Sequence, residues 1–170
     1  MYRILKEIIR NGIRTERAPE PDPYLKTGEG ALDEKTLATL GGALSIRHVD
    51  AGSCNGCELE IHALNNPFYA LENLGIQFVA SPRHADMLLV TGPVSKHMEE
   101  ALRLTYEAMP EPRLVVALGD CGRDGGVFCK RGNYACAGGV SQVVPVDVMV
   151  PGCPPEPEAI LQGILTATKP

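Results

Sequence analysis

Two cysteines lie three positions apart, Cys54 and Cys57 in SCNGCELE, ahead of a run with helical character. A C-x-x-C pair can cycle as a thioredoxin-type redox pair, supply half of a zinc site, or supply part of an iron–sulfur site. Four further cysteines bear on the choice: Cys121 in ALGDCGRDGG, Cys153 in VPGCPPEPE, and Cys129 and Cys136 in GGVFCKRGNYACAGGV. Thioredoxin chemistry needs only the pair at a helix start and leaves Cys121 and Cys153 without a role. Structural zinc usually takes its thiolates from two closely spaced pairs. Here one pair is joined by two single, widely separated cysteines in Gly-rich and Pro-rich turns. A [4Fe–4S] cube needs four thiolates arriving from different directions, and glycines let the backbone come close to it. Spacing alone keeps zinc open and favours iron–sulfur. Cys129 and Cys136 read as small packing residues, with a substitute ligand or a redox-labile pair as the alternatives.

The elements that must carry these residues are legible as runs. LSIRHVD (44–50), IQFVA (76–80), MLLVTG (87–92), RLVVALG (113–119) and VDVMVPG (146–152) are short and β-branched, and end in Gly, Pro or Asp. The continuous apolar ones predict strands buried on both faces. Helical patterns fall between them, over about 57–65, 67–74, 95–108 and 156–167. Alternating strands and helices predict an α/β fold, an open, doubly wound and mostly parallel sheet. Such sheets bind ligands at the carboxyl ends of their strands. Cys54 and Cys57 follow the first strand, Cys121 the fourth and Cys153 the last, so one edge of the sheet is expected to gather four cysteines.

The 170 residues are divided here into 1–44, an N-terminal helix and extended linker, and 45–170, the cysteine-bearing domain. Residues 2–14 place Ile4, Leu5, Ile8, Ile9 and Ile13 on one stripe among Arg3, Lys6, Arg10 and Arg14. This basic amphipathic stretch suits either packing on its own domain or docking on a partner or membrane surface. Residues 18–34 are rich in Pro, Gly and acid and read as linker, and 35–44 as a short helix. A net charge of −5 and the absence of Trp argue against nucleic-acid binding. No run approaches the roughly 18 apolar residues of a membrane span, and charges interrupt the N-terminal apolar run. The expectation is a cytoplasmic chain, where disulfides rarely persist.

Taken together, GSCNGCELEI, SPRHADMLLVTGPVS, PEPRLVVALGDCGRDGGVF and VVPVDVMVPGCPPEPEAILQGIL resemble one family over about 45–167. It is the cluster-carrying small subunit shared by [NiFe] hydrogenases and respiratory complex I. The resemblance implies a flavodoxin-like domain with one [4Fe–4S] cluster on Cys54, Cys57, Cys121 and Cys153. Complex I subunits of this type carry adjacent cysteines where hydrogenase small subunits carry C-x-x-C, so SCNGCE is similar to a hydrogenase. Uptake hydrogenases add an export signal and a C-terminal extension for two more clusters. Without these, the chain is most similar to the small subunit of membrane-bound, energy-converting hydrogenases such as formate hydrogenlyase. The implied role is electron transfer through the proximal cluster, with no catalytic metal ligands in this chain. The implied partners are a large subunit holding the nickel–iron centre, a ferredoxin-like iron–sulfur subunit and membrane-arm subunits. The implied location is the cytoplasmic side of the cytoplasmic membrane. The alternatives are a complex I-like or sulfur-reducing relative with the same cluster, and a zinc-binding structural module.

Under this resemblance Glu58 is either part of a proton path or a capping and salt-bridging carboxylate. Arg83 either raises the cluster potential or pairs with Asp86 in a turn. Pro154 and Pro155 shape the turn after Cys153, and Gly119, Gly122, Gly125 and Gly126 permit close approach around Cys121. His62 reads as a packing or surface residue, and His48 and His97 as structural. If the N-terminal stretch docks on the membrane arm or lipid, deleting residues 1–17 releases the remainder from membranes in a fractionation assay. Retention in the membrane pellet would count against docking.

Overall fold

The computed structural model describes residues 43–129 and 132–168, together with Tyr2, Lys6 and Arg10, which are helical and exposed. The rest of the expected N-terminal helix, the linker and residues 35–42 of the expected short helix lie outside the described residues, while Leu44, expected to end that helix, opens the first strand. In chain order the elements are β1 (Leu44–Asp50), α1 (Gly56–Ala63), β2 (Ile76–Phe78), β3 (Met87–Thr91), β4 (Val94–Ser95) and α2 (Lys96–Glu107). They continue with β5 (Leu114–Leu118), α3 (Gly119–Asp124), α4 (Gly126–Cys129), β6 (Cys136–Gly138), β7 (Val148–Val150) and α5 (Pro157–Ala167).

Five strands form one parallel sheet in the order β2-β1-β3-β5-β7, the flavodoxin-like, doubly wound arrangement. The central strand β3, MLLVT, is buried at every position because both of its faces are covered. Successive side chains alternate between those faces. Met87 and Leu89 join Leu44, Ile46, Val116 and Leu118 against Ile61 of α1 and Ile160 and Ile164 of α5. Leu88 and Val90 join Val115 and Ala117 against Leu102 of α2 and Val140 and Val144. Each such side chain contributes about 1.5–3 kcal/mol on burial, so the sheet is a stiff platform for the loops at its edge.

Several expectations shift. Of the helix expected over 67–74, only a 3-10 turn at Leu71–Leu74 forms. The Asn66 side chain accepts from the amides of Phe68 (2.8 Å) and Tyr69 (3.0 Å), and Ala70 takes a positive φ, so turns replace the helix. The last strand shortens to Val148–Val150, because the Asp147 carboxylate accepts from the Val115 amide at 2.7 Å and begins the pairing with a side chain. The short antiparallel pair β4–β6 and the helical turns α3 and α4 were not anticipated.

The burial pattern separates two leucines. Leu89→Ala removes a fully buried side chain from the central strand and lowers stability by about 2–5 kcal/mol in urea unfolding of the full chain. Leu104→Ala, on the 54% exposed side of α2, changes it by less than about 0.5 kcal/mol.

Candidate metal centre

At the carboxyl end of β1 the chain is turned by Asp50, whose carboxylate accepts from the amides of Gly52 (2.8 Å) and Ser53 (2.7 Å). The loop then lies on the end of β3. A Cβ at Gly92, where φ is +76°, would run into the Ser53 backbone, 2.6 Å from its Cα. Only glycine allows that approach. The Ser53 hydroxyl accepts from the Asn55 amide at 3.0 Å, and Asn55, at φ 72°, turns the chain into α1. Cys54 therefore sits on the loop and Cys57 in the first turn of the helix.

The other two cysteines come from neighbouring strand ends. Cys121 lies in α3, directly after β5, and Cys153 in the turn directly after β7. Asp120 joins these ends: its amide donates to the Gly152 carbonyl at 2.8 Å, and its carboxylate accepts from the Gly152 amide at 3.4 Å. A Cβ at Gly119 would stand 3.0 Å from Cys57 Sγ and 3.2 Å from the Gly152 carbonyl. A Cβ at Gly126 would stand 2.7 Å from Cys121 Sγ. One at Gly56 would stand 3.6 Å from Cys54 Sγ and 3.8 Å from Pro154 Cβ. Three loops thus meet at one edge of the sheet, with glycine backbone against the sulfurs of Cys54, Cys57 and Cys121. Pro155 is buried beneath the last of them.

The four thiols feel one another. Burial pushes the Cys57 thiol up to about 12, helped by the charge of Glu58 and then by Cys121, Cys54 and Cys153. Cys121 is raised by burial first, then by Cys153 and Cys54, with Asp120 and Asp124 adding to it. Cys54 and Cys153 are exposed and Cys121 is buried. Among the described residues, no three His, Cys, Asp or Glu side chains form a group that could hold a metal ion. A single tetrahedral zinc ion would require its thiolates gathered at bond length around one point. A [4Fe–4S] cube instead binds each thiolate on its own iron.

Beside Cys57, Glu58 is buried (8% exposed), and neither carboxylate oxygen has a hydrogen-bond partner. His48 approaches it, Nε2 to Oε1 at 3.8 Å, and contacts the Thr91 hydroxyl at 3.0 Å. Burial holds His48 below its ordinary value despite the pull of Glu58, so the imidazole is neutral at pH 7. Glu58, His48, His62, Arg47 and Asn65 line a cleft of about 280 Å³. Sequence reasoning left His48 as structural. The available signal is its parity with Leu44 and Ile46 on the β1 face that α1 covers. Arg83 is exposed on the 3-10 turn after β2, and Asp86 instead accepts from the Ser45 amide at 2.9 Å. Cys129 and Cys136 are joined as a disulfide with Cα atoms 5.7 Å apart, so of the readings open for them the pair prevails.

The protein family described as NADH ubiquinone oxidoreductase, 20 Kd subunit, matches residues 54–167. A probable membrane-bound hydrogenase subunit of Pyrococcus furiosus is 46% identical over 138 residues, covering 79% of this chain and 81% of that one. Formate hydrogenlyase subunit 7 of Escherichia coli is 44% identical over 137 residues, covering 81% of this chain and 53% of that one. Among solved structures, a chain of the membrane-bound sulfane sulfur reductase, an archaeal respiratory membrane complex, superposes with TM-score 0.66 at 33% identity. It covers 79% of this chain and 72% of that one. The chain therefore belongs to the 20 kDa subunit family of oxidoreductase complexes.

The state of Cys57 has a sign that can be measured in the metal-free full chain. From the ordinary thiol value of 9.0 to about 12, the unfolded thiol loses its proton while the folded one keeps it. Stability therefore falls as pH rises through that window, and Cys57→Ser flattens the fall. At about pH 8, Cys57 is alkylated more slowly than the exposed Cys54 and Cys153, because the thiolate is the reacting form. Equal labelling rates would contradict the burial of Cys57.

Proposed function

We propose that this chain is the electron-transfer small subunit of a membrane-bound, multisubunit [NiFe] hydrogenase, holding one proximal [4Fe–4S] cluster on Cys54, Cys57, Cys121 and Cys153. The observation that carries the reading is the meeting of four thiols from three strand ends, with glycine backbone close to the sulfurs of Cys54, Cys57 and Cys121. When bound, a cluster of this kind supplies reversible one-electron transfer. The chain's own residues set its surroundings. Gly119, Gly126 and the Asp120–Gly152 clasp hold the loops at a fixed spacing, and Cys121 lies on the buried side. Glu58, buried and without a hydrogen-bond partner, is assigned to a proton path toward the partner. Arg83, exposed on the turn between β2 and β3, is assigned to contribute positive charge that favours the reduced state.

The nickel–iron centre is assigned to a separate large subunit, since the four free cysteines described here are committed to the cluster. A ferredoxin-like iron–sulfur subunit and membrane-arm subunits complete the assembly on the cytoplasmic side of the cytoplasmic membrane. Among the described residues no helix is long and apolar enough to cross a membrane, which accords with attachment through partners. The exposed side chain of Leu59, two residues after Cys57, offers apolar surface for a partner. A complex I-like or sulfur-reducing role is the second reading. It is favoured by the 33% identity to a chain of the sulfane sulfur reductase. The C-x-x-C spacing of Cys54 and Cys57 favours the hydrogenase, and the arrival of the four cysteines from three strand ends rather than as two close pairs disfavours a zinc module.

The test is purification of the intact complex from native membranes, with nickel, iron, acid-labile sulfide and hydrogen-linked viologen reduction measured together. Nickel with hydrogen turnover establishes the hydrogenase. Iron and sulfide without nickel or turnover moves the assignment to the second reading with the cluster retained. Zinc without iron overturns both. Cys121→Ser in the complex is expected to lower iron per chain, because the buried ligand is not replaced by solvent.

A further inference from the structure

Cys129 and Cys136 stand outside the four-cysteine centre and yet are physically continuous with it. Cys129 ends α4, three residues after Gly126 and four after Gly125. A Cβ at Gly126 would press on Cys121 Sγ at 2.7 Å, and one at Gly125 would collide with Cys129, 2.5 Å from its Cβ. Two adjacent glycines therefore lie against the Cys121 thiol on one side and the disulfide on the other. Cys136 opens β6, which pairs antiparallel with β4 through Ser95↔Cys136 and Val94↔Gly138. Strand β4 is in turn fastened to the Cys54 loop: the Ser95 amide donates to the Ala51 carbonyl at 2.8 Å. On the same loop, a Cβ at Gly52 would lie 3.0 Å from the Pro93 carbonyl and 3.3 Å from Ser95 Cβ. An unbroken path thus runs from the Cys121 turn through α4, the disulfide, β6 and β4 to the Cys54 loop. The disulfide is its one covalent cross-link.

We propose that Cys129 and Cys136 form a thiol–disulfide exchange site whose closed form straps the Cys121 turn to the Cys54 loop, and whose reaction partner is a protein dithiol. In the opening reaction one thiolate of the dithiol attacks a sulfur of the pair. A mixed disulfide forms and the other cysteine leaves as thiolate. The second thiol of the partner then displaces the first. Two electrons and two protons pass to Cys129 and Cys136, and the partner leaves as a disulfide. Closure is the reverse, with a disulfide as oxidant. Both cysteines are half-buried, while Val127, Phe128 and Tyr134 beside them in sequence are exposed at 66%, 42% and 87%. An approaching dithiol protein therefore meets apolar surface next to the bond. The exchange chemistry is independent of what the four-cysteine centre binds. The effect of the strap on that centre rests on the cluster reading above.

The test uses the intact complex, prepared anaerobically and equilibrated in buffers with graded ratios of reduced to oxidised dithiothreitol. Free thiols are trapped with a maleimide and located by mass spectrometry. Cys129 and Cys136 are expected to gain and lose their labels together and reversibly, with the slope of a two-electron couple. Iron per chain should stay constant across the titration. In a second measurement, iron release to a ferrous chelator is expected to quicken on the order of tenfold in the reduced complex. The Cys129→Ser/Cys136→Ser double variant, which needs no reductant, should match it. Labels appearing independently, or thiols that stay free in fully oxidised buffer, overturn the exchange site. Iron lost in proportion to labelling overturns it in favour of ligation. Unchanged chelator release in the double variant overturns the strap. A complex without iron leaves the thiol titration readable and counts against the cluster alone.

Discussion

Four sulfurs gathered at one half-buried edge resist becoming charged there. Burial alone raises Cys57 and Cys121, and each neighbouring thiol raises them further. A set of groups that repel when ionised does not assemble itself, so the surrounding backbone must hold it. The hydrogen bonds of Asp50 to Gly52 and Ser53, and the double link of Asp120 to Gly152, do this with short bonds close to the sulfurs.

The sheet makes those bonds possible. Parallel strands bring their carboxyl ends to the same edge, and β3, buried at every position, keeps β1 and β5 level on either side of it. The loops contribute little core of their own. Their accuracy comes from glycines that let backbone sit where a methyl group would collide, as at Gly92 against Ser53. The buried carboxylate of Glu58 is the exception to this neutral backbone frame. It stands beside a neutral His48, and among the described residues neither of its oxygens has a hydrogen-bond partner.

The strands and the four-cysteine edge could be read from the sequence because their signals are local. MLLVT is continuously apolar, and each ligand candidate directly follows such a run. The β4–β6 pair could not be read. It has two and three residues, and nothing in PVSK or ACAGG alternates clearly enough to announce pairing across some forty residues. The proximity of His48 to Glu58 depends on where α1 lands on β1: the parity of His48 with Leu44 and Ile46 gives its face, and only the tertiary packing gives its neighbour. The Cys129–Cys136 bond was hidden for another reason: two glycine-flanked cysteines seven apart are compatible with packing, ligation or pairing. The segment over 67–74 misled in the opposite direction, since its apolar spacing suits a helix that the Asn66 side chain diverts into turns.

Strand β7 pairs with β5 alone and is the outermost strand on its side, yet the turn that follows it carries Cys153. Until β7 and that turn are in place, the ends of β1 and β5 bring only Cys54, Cys57 and Cys121 to the edge. Partial chains that have already built β1, β3 and β5 can present three thiols but not four. The full set of four thiols accordingly forms only when α5 has packed β7 into place. The order of assembly is written into which strand sits at the edge.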